Sequence, residues 1–276
     1  MRLISLQSPG GSLRAELAPD LGGMAAQIYL RGRPVLHLDR GALELSPMTA
    51  GGIPLLFPFS SKLAGDTYEV DGRTYAMPMH GLIKNAAFGV LERSETRAAF
   101  WIAHNPCWLD GQYPFPFRFE VCYEVSGQTL SMTARVHNPG EKPLPHTFGW
   151  HPYFLATDKR QTRFFQTMRR WYDIPTGQDG PMPAALDLWE QWDDVFHTPE
   201  DCSFRLENLA DGYAVTCRFG ETQPVLVVCT TVPEAVCIEP WCGVPDAPRH
   251  GRFLTWVAPG EMAEYHMELA FETISQ

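Results

Sequence analysis

Apolar residues along this chain recur mostly at every second position, the spacing that sends successive side chains to opposite faces of an extended strand. Phe117, Phe119, Val121, Tyr123 and Val125 alternate with Arg118, Glu120, Cys122 and Glu124, and Leu130, Met132, Ala134 and Val136 alternate with Ser131, Thr133, Arg135 and His137. The two runs flank the turn composition SGQT and predict a hairpin. Asp71-Gly72, between the short arms of TYEVDGRTY, predicts a second, because these residues supply the positive φ angles of a tight turn. Tyr265, Met267, Leu269 and Phe271 line one side of a further strand. No stretch of helical length carries a capped i, i+3, i+4, i+7 stripe. Prolines and glycines are spread throughout, without a linker-like cluster or a fixed-period repeat. The pattern predicts one all-β, mainly antiparallel domain over residues 1–276, with long connections and few short helices.

Length agrees, since all-β units run to about 250 residues as one domain. The formal charge of −10 lacks the clustered Lys and Arg that nucleic acid or an anionic membrane surface would require. A neutral or weakly charged small ligand suits it better. The N-terminal stretch MRLISLQSPGGSLRAEL has no basic region followed by an apolar run, and no window reaches the ~20 apolar residues of a membrane span. A cytoplasmic protein is expected, as a monomer or homodimer. The seven cysteines, at 107, 122, 202, 217, 229, 237 and 242, are odd in number and irregular in spacing, and all are read as free thiols.

Four connections are rich in residues that can do chemistry. GGIPLLFPFSSKLAGDTY ends an apolar run in Ser60, Ser61 and Lys62; MPMHGLIKNAAFGV carries His80 before Gly81 and Lys84 four positions on. HTFGWHPYF sets His151 among aromatics, and VCIEPWCGVPDAP closes an apolar run on Glu239, followed by Pro240 and Trp241. Singly, each reads as an ordinary core strand, loop histidine or solvated strand-end carboxylate. His151 is the exception, since an imidazole in aromatic surroundings must find a partner or lose about 1–3 kcal/mol. His146 and His151 are an odd five apart, on opposite faces of an extended strand, and Cys237 and Cys242 repeat that offset without a matching pair, so no metal site is expected. No GxSxG, GxxxxGK[ST] or GxGxxG occurs in a strand-to-helix context, which removes hydrolase-elbow, nucleotide and dinucleotide readings.

Taken in order, GGIPLLFPFSSKLAGDTY, MHGLIKNAAF, YPFPFRFEVCYEV with LPHTFGWHPYF, the WDDVF run and CIEPWCGVPDA resemble the aldose 1-epimerase (galactose mutarotase) family over residues 51–246. The resemblance implies an antiparallel β supersandwich with a sugar cleft on one face, anomer interconversion of an aldose, and no cofactor. It implies Glu239 as base, His151 as acid and His80 as the group that steadies charge on the opening ring. It also implies Asp193 as an acceptor of sugar hydroxyls, with Asp194 the adjacent alternative. Lys62 and Lys84 are placed near the sugar, and Trp150, Phe154 and Trp241 are candidate flat walls for a pyranose.

The chemistry accounts for these residue types. Opening a cyclic hemiacetal needs one group to take the anomeric hydroxyl proton and another to protonate the ring oxygen, and a carboxylate and an imidazole suffice. Many relatives carry an arginine where this chain has Lys62 and another where it has Lys84. A lysine keeps the charge but loses the planar fork, which bears on specificity. Two alternatives stand beside the neutral aldose: a phosphorylated or acidic sugar under the same mechanism, and a noncatalytic carbohydrate binder on the same scaffold.

Overall fold

In the computed structural model, which describes residues 2–41, 51–104, 111–173, 178–182 and 186–275, the alternation becomes antiparallel β structure. Arg118–Ser126 pairs with Thr129–His137, Val121 opposite Ala134 and Tyr123 opposite Met132, so the apolar members of both runs enter the interior together. Met262–Thr273 adds to the far edge of that hairpin with Met267 opposite Met132. Asp71 and Gly72, at φ 51° and 73°, join Thr67–Val70 to Arg73–Ala76. Helix among the described residues is confined to Ala247–His250 and three short 3-10 turns.

The described strands form one 14-stranded sheet, a 4-stranded N-terminal sheet and two 2-stranded pairs. The N-terminal sheet, Ile4–Gln7, Leu13–Ala18, Met24–Leu30 and Arg33–Pro34, packs into the same apolar cluster as the large one. Leu6, Leu17 and Ile28 meet that cluster from one side, and Phe119, Tyr123 and Leu269 from the other. Tyr123 carries a polar tip into this interior, and its hydroxyl donates to the Gly23 carbonyl at 2.8 Å. Each buried Phe or Leu contributes about 1.5–3 kcal/mol relative to exposure.

Two features of the large sheet position the cleft. Val225–Cys229 and Ala235–Trp241 form a hairpin in which Val227 faces Glu239 and Cys229 faces Cys237. Period two then puts Cys237, Glu239 and Trp241 on one face of the second strand, while Val236 and Ile238 enter the main core. HTFGWHPYF is three short strand pieces rather than one strand. Leu144–His146 pairs with Thr255–Val257, Gly149–Trp150 pairs with Leu55–Leu56, and Tyr153–Leu155 lies against Ala235–Cys237. This segment therefore ties the first motif to the fourth.

Candidate active site

A cleft of about 410 Å³ opens where these segments meet, and Lys62, His80, Lys84, His151, Asp193, Glu239 and Trp241 all line it. His80 reaches it through an unusual backbone: it sits at φ 65° with Gly81 following at 79°, and its N–H donates to the Ser61 carbonyl at 3.0 Å. His151 is held by its N–H donating to the Pro54 carbonyl at 3.1 Å. Asp193 starts a strand opposite Cys229 and is exposed. The side chain of Asp194 lies outside the described residues.

At the floor, His151 Nδ1 comes within 3.3 Å of Glu239 Oε2. Trp241 Nε1 donates to the same oxygen at 3.2 Å. Both members of the pair are buried, and His151 Nδ1 lacks an aligned hydrogen-bond partner. Tyr153 stacks on the imidazole at 4.5 Å between centroids and 3° between planes, with its hydroxyl 3.4 Å from Nε2. The His80 ring meets His151 edge-on at 5.3 Å and Trp241 at 6.0 Å.

Two expected walls are not there. Trp150 and Phe154 are both 0% exposed and belong to the main core, so neither can meet a ligand in the cleft. The aromatic surfaces lining it are Trp241 and Tyr153. Tyr153 shares the parity of His151, whereas residues 150 and 154 do not, and that alternation was the available signal. His146, the other histidine of the motif, is buried away from the cleft with Nε2 2.8 Å from the Tyr265 hydroxyl. The motif residues Ser60 and Thr147 also meet in the interior, Ser60 N donating to Thr147 Oγ1 at 2.8 Å.

Electrostatics at the floor are governed by burial. It pushes the Glu239 carboxyl well above its ordinary range, reinforced by the Cys229 and Asp193 charges. It pushes His151 well below, with His80 adding to the effect, and it takes His80 down to about 3, helped by the Lys84 cation. Half-buried Lys84 is itself lowered by partial desolvation, and its Nζ donates to the Met79 carbonyl, bracing the loop before His80. A larger groove of about 670 Å³, lined by Phe115, Lys142 and Trp256 among others, holds the exposed Lys142–Asp71 ion pair and no imidazole.

Cys229 and Cys237, opposed across the hairpin, also line the cleft, and Cys229 Sγ lies 3.1 Å from the Thr231 hydroxyl. The neighbouring Cys237 and Thr231 draw the Cys229 thiol down to about 6, while burial holds Cys237 well above its ordinary value. Sequence reasoning missed this pair because it compared Cys237 with Cys242. A turn centred on Pro233 would have matched 229 with 237. Cys122, Cys202, Cys217, Cys229, Cys237 and Cys242 are free thiols, and Cys107 lies outside the described residues.

Buried neutral histidines predict acid lability. His146 is held at about 3 by burial, against roughly 6.5 in an unfolded chain. Between those values the unfolded state binds more protons, so stability is lost as pH falls. At pH 5.5 the loss from one such group is about 1.4 kcal/mol. Glu239, shifted upward, acts in the opposite sense, so the contribution is best read by difference. In His146→Gln, which can still bond Tyr265, the stability drop between pH 7.5 and 5.5 in urea unfolding should shrink by about that amount. An unchanged drop would show that His146 already titrates normally.

The fold is that of a galactose mutarotase-like β protein. The chain matches the aldose 1-epimerase family over residues 23–270 and belongs to that family. It is 23% identical over 293 residues to the uncharacterized protein YphB of Escherichia coli K12, covering 95% of this chain and 97% of that one. Slr1438 from Synechocystis sp. PCC 6803 superposes with a TM-score of 0.92 at 25% identity, covering 99% of this chain and 96% of that chain. A galactose 1-epimerase from Lactobacillus acidophilus NCFM shares the fold at a TM-score of 0.74 and 11% identity, over 99% and 94% of the two chains. Membership supports a mutarotase-type function. Among the described residues no helix is long and apolar enough to cross a membrane.

Proposed function

We propose that the protein interconverts the α and β anomers of a neutral aldose, with Glu239 and His151 as the proton-transfer pair. The observation that carries this reading is their 3.3 Å approach at the floor of a cleft large enough for a hexose. The pair shares one proton, because burial disfavours both the doubly protonated state, with a charge on His151, and the proton-free state, with a charge on Glu239. One residue takes the anomeric hydroxyl proton while the other protonates the ring oxygen. After rotation about the bond between C1 and C2 the roles reverse, so each residue serves once as donor and once as acceptor. His80, kept neutral, offers a hydrogen bond to the opening ring without competing for the proton. Trp241 supplies an apolar face as well as its bond to Glu239.

Asp193 offsets part of the Lys62 and Lys84 charge in the same cleft, and Lys84 is engaged with Met79, which favours a neutral sugar over a phosphorylated one. Optical rotation of freshly dissolved α-glucose should decay faster with the protein, and NMR exchange between anomer signals should be faster for neutral aldoses than for their 6-phosphates. Absence of acceleration for any aldose would leave a binding protein. Lys62→Met should raise KM roughly tenfold, the value of one charged hydrogen bond of about 1.5 kcal/mol, with kcat little changed. A hundredfold loss of kcat at unchanged KM would instead place Lys62 in the chemistry.

A further inference from the structure

The floor of the cleft holds more ligating groups than proton transfer requires. One ligand atom from each of His151, Cys237 and Glu239 lies within 4.8 Å of the other two, and all three residues are buried. Cys229 faces Cys237 directly across the hairpin and lines the same cleft. Tetrahedral zinc, at about 2.3 Å from sulfur and 2.0–2.2 Å from nitrogen or oxygen, sets its ligand atoms roughly 3.3–3.8 Å apart. The 3.3 Å between His151 Nδ1 and Glu239 Oε2 already meets that spacing, and Nδ1 has no aligned partner to give up. Two thiols, one imidazole and one carboxylate make a donor set of borderline-soft character, which selects Zn²⁺ or Cd²⁺ over Mg²⁺ or Ca²⁺.

We propose that Cys229, Cys237, His151 and Glu239 form a binding site for a thiophilic divalent cation, and that its occupancy excludes sugar and silences the proton-transfer pair. Binding releases the proton shared by Glu239 and His151 together with whatever protons the two thiols still hold, leaving two thiolates, a carboxylate and a neutral imidazole on the metal. The site assignment stands independently of the catalytic reading; only the inhibition rests on it. Cys229 stands outside that three-atom cluster, and rotation of its side chain toward the cluster completes the set when a metal binds.

Co²⁺ added to the full-length protein, kept reduced with a phosphine, reads the site directly. One equivalent should produce the visible bands of tetrahedral cobalt with a near-ultraviolet sulfur-to-metal charge-transfer band, and Zn²⁺ should abolish both. Cys229→Ser should weaken Co²⁺ binding by at least about 10–100-fold, the range for disturbing even an outer-shell partner of a metal ligand. Cys237→Ser should do the same. Because Cys237 is buried and its replacement could impair folding, the half-buried Cys229 provides the decisive variant. In anomer exchange, Zn²⁺ should inhibit the wild type, a chelator should reverse it, and Cys229→Ser should resist. Absence of a charge-transfer band in the wild type, or an equal band in Cys229→Ser, overturns the site. A thiolate band in a protein that interconverts no aldose upholds the site and removes the catalytic reading instead.

Discussion

Glu239→Gln is expected to lower kcat for anomer interconversion by at least ~10², the lower bound for a positioned general acid or base. The amide keeps the shape of the carboxyl and can still accept from Trp241, but it can neither take nor give the proton in flight. His151→Asn should have an effect of the same order, and the double variant should lose little more, because the two residues act as one unit. Sugar binding, followed by saturation of a ligand NMR signal, should survive both, since Lys62, Asp193 and Trp241 remain in the cleft. Near-normal turnover by Glu239→Gln would sink the mechanism even though the fold and family stand.

The same pair fixes the sign of the pH dependence. From ordinary values the activity would rise as the glutamate ionises and fall as the histidine deprotonates. Burial favours the reverse assignment, because it displaces Glu239 upward and His151 downward. On the acid side activity is lost when His151 takes a second proton, below its usual 6.5; on the alkaline side it is lost when the shared proton leaves Glu239, above the usual 4.5. The profile of kcat/KM should therefore be a broad plateau spanning both ordinary values, whose limbs belong to the pair rather than to either residue. A narrow bell centred between about 4.3 and 6.5 would mean that the pair titrates as if solvated.

Much of the fold was legible because half-buried strands betray themselves by alternation. The hairpin of Arg118–Ser126 with Thr129–His137 and the strand Met262–Thr273 follow directly from it. Thr162–Asp173 and its partner Asp193–Asn208 did not stand out: their register shifts between Gln166 and Met168, which breaks the period that a sequence reading relies on. At the cleft, residue type led where alternation should have. Trp150 and Phe154 were read as walls because they are aromatic, yet both have the core-facing parity, and Tyr153 takes the face beside His151. The convergence of Cys229 with Cys237 was hidden for a different reason, since it exists only once the hairpin register is known.

Gly81→Ala should cost at least about 3 kcal/mol of stability, well above an ordinary loop substitution. Gly81 combines φ 79° with a Cβ position only 2.1 Å from the Phe57 carbonyl oxygen and 2.4 Å from its carbon. The left-handed backbone alone costs a non-glycine roughly 1–2 kcal/mol. The remainder comes from the collision, because the obstacle is backbone and cannot rotate away; that carbonyl also accepts from Leu82 N at 2.7 Å, which fixes it further. Relief must come from moving the loop that carries His80, and a shift of about 1 Å at the reacting groups can cost 10² in rate. Gly72 is the control, with a comparable φ of 73° but nothing within 4 Å of its Cβ position, in a hairpin turn that does not line the cleft. Gly72→Ala should lose only the backbone strain, about 1–2 kcal/mol, with unaltered kcat. Urea unfolding and anomer exchange on both variants separate the two contributions. Equal losses in the two would mean that close packing against Phe57 has no part in placing His80.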